Sequence, residues 1–286
     1  MTRLSISKTP KCYVGGKFIR SERGRTFAIS DADGAFFAHV PQCTRKDVRN
    51  AVEVAAKAGA GWAGRFGYNR GQILYRLAEM MEPRAAELEA ALLLTPGVSA
   101  EEAKAEVVAT IDRIVHFAGW TDKYEQLLGS VNPVASPHFN FTVTEPMGVV
   151  APDEAPLLAL LLPAITSGNS VIVIVSETAP YAAIALGEML ATSDLPGGVV
   201  NLLTGFRKEM VPTLATHAHI RGVTGAVSAA DRETLEKGAA DSVKRVKVLA
   251  NDEVPIDWAA GNGPVSSLYA IRDLLEFKTT WHPVGS

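Results

Sequence analysis

Val171-Ile172-Val173-Ile174-Val175 places five β-branched residues in a row. A strand of that composition is apolar on both faces, so it belongs inside a parallel sheet covered by helices on each side. Outward from it the chain alternates. Further strands are expected at Gly148 to Val150, Val199 to Leu203, Arg221 to Thr224 and Arg245 to Leu249, with helical segments near Pro156 to Thr166, Pro180 to Ala191, Lys208 to His217 and Ala230 to Ala239. This alternation over residues 146–250 predicts an α/β fold with a doubly wound, Rossmann-like parallel sheet.

Upstream, Cys12-Tyr13-Val14, Lys17-Phe18-Ile19 and Thr26 to Ser30 read as short strands separated by Gly15-Gly16 and Arg23-Gly24. Thr44 with Asp47 forms a capping box, and Val48, Ala51, Val52, Ala55 and Ala56 then recur at helical spacing. Ile73, Leu74, Leu77 and Met81 line a second helix; Pro83 interrupts the pattern and Ala85 to Leu94 resumes it. Ser99 with Glu102 opens a long helix expected to turn Val107, Val108, Ile111, Ile114, Val115 and Ala118 to the core. Residues 1–130 therefore read as N-terminal hairpins and helical cover.

The texture changes over residues 131–145, where Phe139, Phe141 and Val143 alternate with Asn140, Thr142 and Thr144 in a half-exposed, projecting hairpin suited to a subunit contact. Residues 251–286 read as a C-terminal tail. A helix is expected around Ser267 to Phe277, followed by Trp281-His282-Pro283, and Leu274, Leu275, Phe277 and Trp281 offer a second contact surface.

The chain has 286 residues, 47% of them hydrophobic, with 28 Lys+Arg against 31 Asp+Glu and a net charge of -3. That balance argues against nucleic acid and anionic membrane as partners, because both need a clustered basic surface. The apolar run from Ala155 to Ile165 falls well short of the ~18 residues that span a bilayer. Met1 to Ile6 lack the apolar core of a secretory signal, so the expected compartment is the cytoplasm. Cys12 and Cys43 are too few for a disulfide framework or a thiolate metal site and read as reduced, ordinary thiols. His217-Ala218-His219 has no third ligand nearby, so no metal site is expected. Gly59 to Gly64 spells G-x-G-x-x-G, but it follows a helix where a dinucleotide loop would follow a strand.

Several blocks together resemble the aldehyde dehydrogenase superfamily: Tyr13-Val14-Gly15-Gly16-Lys17, Gly24-Arg25-Thr26-Phe27, Glu145-Pro146-Met147-Gly148-Val149-Val150, Pro163 to Ile172, Asp194-Leu195-Pro196-Gly197-Gly198, Thr204-Gly205-Phe206 and Val223-Thr224-Gly225-Ala226. In that family a Cys thiolate attacks an aldehyde, an Asn amide and a backbone N–H hold the oxyanion, hydride passes to NAD(P), and a Glu activates water. The resemblance places Asp153-Glu154 where the family has Trp-Asn, and an ionised Glu would repel an oxyanion that Asn stabilises. Val248 to Glu253 stands where the family's strand ends in the base, with Glu253 as a shifted candidate, and no catalytic Cys domain follows. No catalytic residue is expected to be retained.

The family's ribose-holding Lys-Pro-Ser-Glu becomes Ile174-Val175-Ser176-Glu177, and its Thr-Gly-Ser becomes Thr224-Gly225-Ala226. The resemblance thus implies a vestigial cofactor site of Ser176, Glu177, Gly205, Phe206, Thr224 and Gly225, binding NAD(P) weakly or not at all. The tail and the Ala151-Pro152-Asp153-Glu154-Ala155-Pro156 block resemble the degenerate second unit of the two-unit aldehyde dehydrogenases. Residues 131–145 hold the position of the family's oligomerisation hairpin. The expectation is a pseudoenzyme subunit that scaffolds or regulates a catalytic NAD(P)-dependent aldehyde dehydrogenase, or that associates with itself, through Phe139, Phe141, Val143 and the tail. The alternative is a reduced oxidoreductase acting on aldehydes with rearranged residues.

Overall fold

The computed structural model describes residues 8–152, 157–250 and 266–285. The first half opens with β1 (Cys12–Val14), β2 (Lys17–Ile19), β3 (Thr26–Ser30) and β4 (Phe36–Pro41). Five helices follow: α1 (Arg45–Ala63), α2 (Gly67–Met81), α3 (Ala85–Leu92), α4 (Ala100–Trp120) and α5 (Tyr124–Leu128). β5 (Ser130–Asn132) and β6 (His138–Pro146) lead into β7 (Val149–Pro152), α6 (Leu161–Thr166), β8 (Ser170–Ile174), α7 (Tyr181–Thr192) and β9 (Val200–Leu203). The described chain ends with α8 (Arg207–Thr216), β10 (Ile220–Val227), α9 (Ala229–Ala239), β11 (Arg245–Ala250), α10 (Leu268–Arg272) and β12 (Leu275–Pro283).

The seven-stranded sheet has the order β11-β10-β7-β8-β9-β1-β2. From β11 to β9 every pairing is parallel, as the five β-branched residues predict. All five residues of β8 are buried. Val171 and Val173 enter the apolar layer under α2, α4, α6 and α7, while Ile172 and Ile174 enter the opposite layer under α1, α8 and α9. One strand thus feeds both cores, which is what a two-sided apolar run requires.

The capping boxes form as the sequence predicts. Asp47 accepts from the Thr44 N–H at 2.8 Å, and at α4 Ser99 Oγ accepts from the Glu102 N–H at 3.2 Å while Glu102 accepts from the Ser99 N–H at 2.9 Å. The helix expected from Pro156 starts only at Leu161, after a turn in which Leu158 takes φ 66°. Buried Thr110 and Arg113 of α4 donate to the Leu157 carbonyl at 3.3 and 3.1 Å, and these bonds hold the turn in place.

At the amino end, β1 runs antiparallel beside β9 and carries β2 on its outer edge. The hairpin therefore extends the main sheet, making it mixed. Tyr13 packs into one apolar layer and Cys12 and Val14 into the other, so even this three-residue strand is buried on both faces.

The tail departs from its expected helix. α10 stops at Arg272, and β12 pairs with β6 antiparallel over nine residues, from Leu275↔Pro146 to Pro283↔His138. With β5 on the other side, β6 is the central strand of a three-stranded sheet. Ile271, Leu274 and Leu275 are buried in the main core, and the Asn169 amide donates to the Leu274 carbonyl at 2.9 Å. That anchoring turns the chain before a helix can continue, and the alternating Phe277, Thr279 and Trp281 then suit a strand.

Candidate functional site

In a doubly wound sheet, ligands bind at the carboxyl ends of the parallel strands. Here β8 ends at Ile174 and leads to Ser176 and Glu177; β9 ends at Leu203 and leads through Thr204, Gly205 and Phe206 into α8. Glu177 Oε1 accepts from the backbone N–H of Arg207, the first residue of α8, at 2.5 Å. A carboxylate there satisfies one of the helix's unpaired donors and meets the positive end of its dipole. Arg207 Nε in turn donates to Asp231 in the first turn of α9 at 2.7 Å, with both side chains largely buried. The β8–α7 loop, the start of α8 and the start of α9 are thus tied into one polar chain.

Ser176 Oγ accepts from the N–H groups of Thr178 and Ala179 at 3.3 and 3.2 Å, shaping the loop that presents Glu177. The Phe206 ring packs on Phe27 at 5.1 Å, with Lys208 Nζ 5.8 Å from its centroid. Gly205 holds φ 147°, and a Cβ there would lie 2.8 Å from the Cys43 carbonyl oxygen and 2.9 Å from its nitrogen, so only glycine fits. Ser176, Glu177, Gly205 and Phe206 accordingly gather at the start of α8. Thr224 and Gly225 do not open a helix: β10 continues to Val227 because Val223 and Val227 are buried core residues, and Ser228 is the residue that caps α9.

These residues do not fit a ribose-holding Lys–Glu pair. Ile174, at the position of the ammonium, is 2% exposed and packed in the core, and the Glu177 carboxylate already binds backbone. Asp153, Glu154 and Glu253 lie outside the described residues. Arg207 and Asp231, which link Glu177 to α9, were not singled out from the sequence; Ser228 followed by an acid three residues on was the one local sign that α9 begins there.

Both cysteines of the chain lie just behind this loop. Cys12 and Cys43 are buried, their sulfurs 3.4 Å apart, with Thr204 Oγ1 3.3 Å from Cys12 Sγ. No exposed thiol exists in a chain that has only these two. His217 and His219 face each other with ring centroids 5.9 Å apart, and among the described residues no group of three or more His, Cys, Asp or Glu is placed to hold a metal. Gly59 and Ala60 belong to the last turns of α1 and line a cavity of about 530 Å³ at the amino ends of β7 and β8, away from the loop described above. No described helix is long and apolar enough to cross a membrane.

Known proteins share this fold. The aldehyde dehydrogenase family profile matches residues 18–250. An aldehyde dehydrogenase of Davidiella tassiana is 29% identical over 252 residues, covering 85% of this chain and 50% of its own. The cytosolic 10-formyltetrahydrofolate dehydrogenase of Mus musculus is 30% identical over 268 residues, covering 89% of this chain and 30% of its own. The HpcC structure from Thermus thermophilus superposes with a TM-score of 0.82 at 25% identity, over 87% of this chain and 49% of that one. An NAD+ complex of an aldehyde dehydrogenase from Bacillus cereus superposes with a TM-score of 0.79 at 24% identity, over 84% of this chain and 50% of that one. The chain spans about half the length of the aldehyde dehydrogenases it matches. With a profile that runs from β2 to the end of β11 and a sheet that superposes on theirs, this chain belongs to the aldehyde dehydrogenase family.

Proposed function

We propose that this chain is a pseudoenzyme subunit of the aldehyde dehydrogenase family, which oxidises no aldehyde itself and acts by scaffolding or regulating a catalytic aldehyde dehydrogenase, or by associating with a second copy. One observation carries this reading: both thiols are buried against each other, so neither is open to an incoming carbonyl. A thiol that attacks an aldehyde must face a space that holds the substrate, and both of these sulfurs lie inside the packed apolar layer.

The small sheet supports the association half of the reading. Phe139 and Val143 are each 45% exposed on one face of β6, next to half-buried Phe141, and Val131 of β5, paired with Phe141, is 63% exposed. A contiguous apolar face of that kind suits a protein contact. The cofactor reading follows from Ile174 and Glu177: NAD(P) binds weakly or not at all, because the ammonium is missing and the carboxylate is engaged.

The deciding experiment offers the purified chain a panel of aldehydes with NAD and NADP, and separately recovers it from its host with whatever accompanies it. The expected result is no turnover, together with a copurifying aldehyde dehydrogenase or a homodimer that Phe139→Glu and Phe141→Glu convert to monomer. Turnover at ordinary enzyme rates, or a monomer at tens of micromolar with no dehydrogenase attached, would overturn it.

A further inference from the structure

We propose that Cys12 and Cys43 form a redox-modification site, a dithiol that peroxide converts to an intrachain disulfide locking β1 to the start of α1. The inference is independent of whether the chain turns over aldehyde. It rests on a contact that sequence distance hides: residues 31 apart bring their sulfurs to 3.4 Å, near enough that bonding needs only a small rotation of the side chains.

The hydrogen bonds give the two sulfurs different roles. Thr204 Oγ1 donates its proton to the Pro41 carbonyl at 2.6 Å, so in its 3.3 Å contact with Cys12 it can only accept. Cys12 Sγ in turn receives the Thr204 backbone N–H at 3.4 Å and the Cys43 S–H. Cys12 therefore has two donors ready for a thiolate, and these pull its pKa below that of an ordinary thiol. Cys43, donating to Cys12 and buried, is pushed above it. Cys12 is the attacking sulfur and Cys43 the resolving one.

The chemistry balances with a hydroperoxide as oxidant. The Cys12 thiolate attacks one peroxide oxygen, the O–O bond breaks, and hydroxide leaves, so that Cys12 becomes a sulfenic acid. Cys43 then attacks that sulfur, the S–OH bond breaks and water leaves, giving one disulfide and two waters from two thiols and one hydrogen peroxide. Access comes from the end of the sheet: among the described residues β2 is the outermost strand, three residues long with none of them buried, and β1 behind it meets β9 through the registered pair Tyr13↔Leu202. An exposed outer strand of this kind opens locally far more often than the whole protein unfolds, and its opening uncovers β1. The resulting crosslink would enclose β2, β3 and β4 in one covalent loop and brace the Thr204-Gly205 backbone, where Cys43 N–H already donates to the Thr204 carbonyl at 2.9 Å.

The test uses the reduced full chain treated with hydrogen peroxide, then unfolded, alkylated and analysed by mass and peptide mapping. Expected are loss of both free thiols, a Cys12–Cys43 linked peptide within a single chain, and a thermal midpoint raised by about 5–10 °C. Cys43→Ser should instead stop at a Cys12 sulfenic acid that dimedone traps, and Cys12→Ser should give no trapped product at Cys43. Because the wild-type comparison needs no variant, a poorly folding substitution leaves the test intact. Two free thiols after treatment, a bridge found only between chains, or a bridge that leaves the midpoint unchanged would overturn the proposal.

Discussion

The two main sheets of this protein are built on opposite terms. In the seven-stranded sheet every residue of β8 and β9 is buried. In the three-stranded sheet β12 has one buried residue, Leu275, and β6 buries Asn140 alone among its nine. The first is held by apolar area removed from water, the second by a long hydrogen-bonded ladder whose register covers nine residue pairs. A sheet of the second kind is stable only while its one anchored end stays attached, and its exposed face remains available to something else.

The widest gap between the two regions is expected at Trp62, which is fully buried on the main core and donates Nε1 to the Ile165 carbonyl at 2.8 Å. Trp62→Ala should cost about 3–5 kcal/mol in a urea denaturation series. A loss below about 1 kcal/mol would mean that burial is not what holds the large sheet.

Asn169 is the joint between the regions. Its amide donates to Ser167 Oγ and the Leu274 carbonyl, and its oxygen accepts from the Gly148 N–H at 2.8 Å. Asn169→Ala should cost about 1–3 kcal/mol for each buried group left unpaired, and hydrogen exchange should show β12 losing protection before β8 does. Equal loss in both strands would show that the sheets unfold as one.

A polar group inside the large unit gives a pH test. Lys244 Nζ donates to the carbonyls of Leu214, Ala215 and His217 at the end of α8, and burial pushes its pKa from 10.5 down to about 8. Between those values the unfolded chain binds a proton that the folded chain does not, so this group's contribution to stability rises with pH across that window. The thermal midpoint of the wild type should therefore climb relative to Lys244→Met from about pH 8 to about pH 10. A constant difference would show that the three carbonyls keep the ammonium charged.

The smallest effect belongs to the exposed face. Phe139→Ser should change monomer stability by no more than about 0.5 kcal/mol, measured by denaturation at low concentration. A larger cost would place Phe139 in the fold instead of at a contact.

Of the candidate site, the family resemblance pointed to Ser176, Glu177, Gly205, Phe206, Thr224 and Gly225, but not to what they do. Glu177 looked like half of a ribose clamp and serves as a cap on α8; Gly205 looked like part of a cofactor loop and is the residue that lets the backbone pass Cys43. Neither role has a local signature, since each depends on a group 30 or more residues away.

What the sequence determined by itself is what short-range pattern can encode. Five β-branched residues dictate a strand buried on both faces, and Ser99 with Glu102 dictates where α4 begins, because the interacting residues lie within one strand or one turn of each other. Tertiary structure decided the rest: that β1 adds to the main sheet, that residues 275–283 form a strand after a helix of only five residues, and that the two cysteines touch. Residues around Leu274 carry a helical pattern and an alternating one at once. The choice between them is made by β6 and Asn169, more than a hundred residues earlier in the chain, which supply the ladder and the carbonyl partner that only the strand can use.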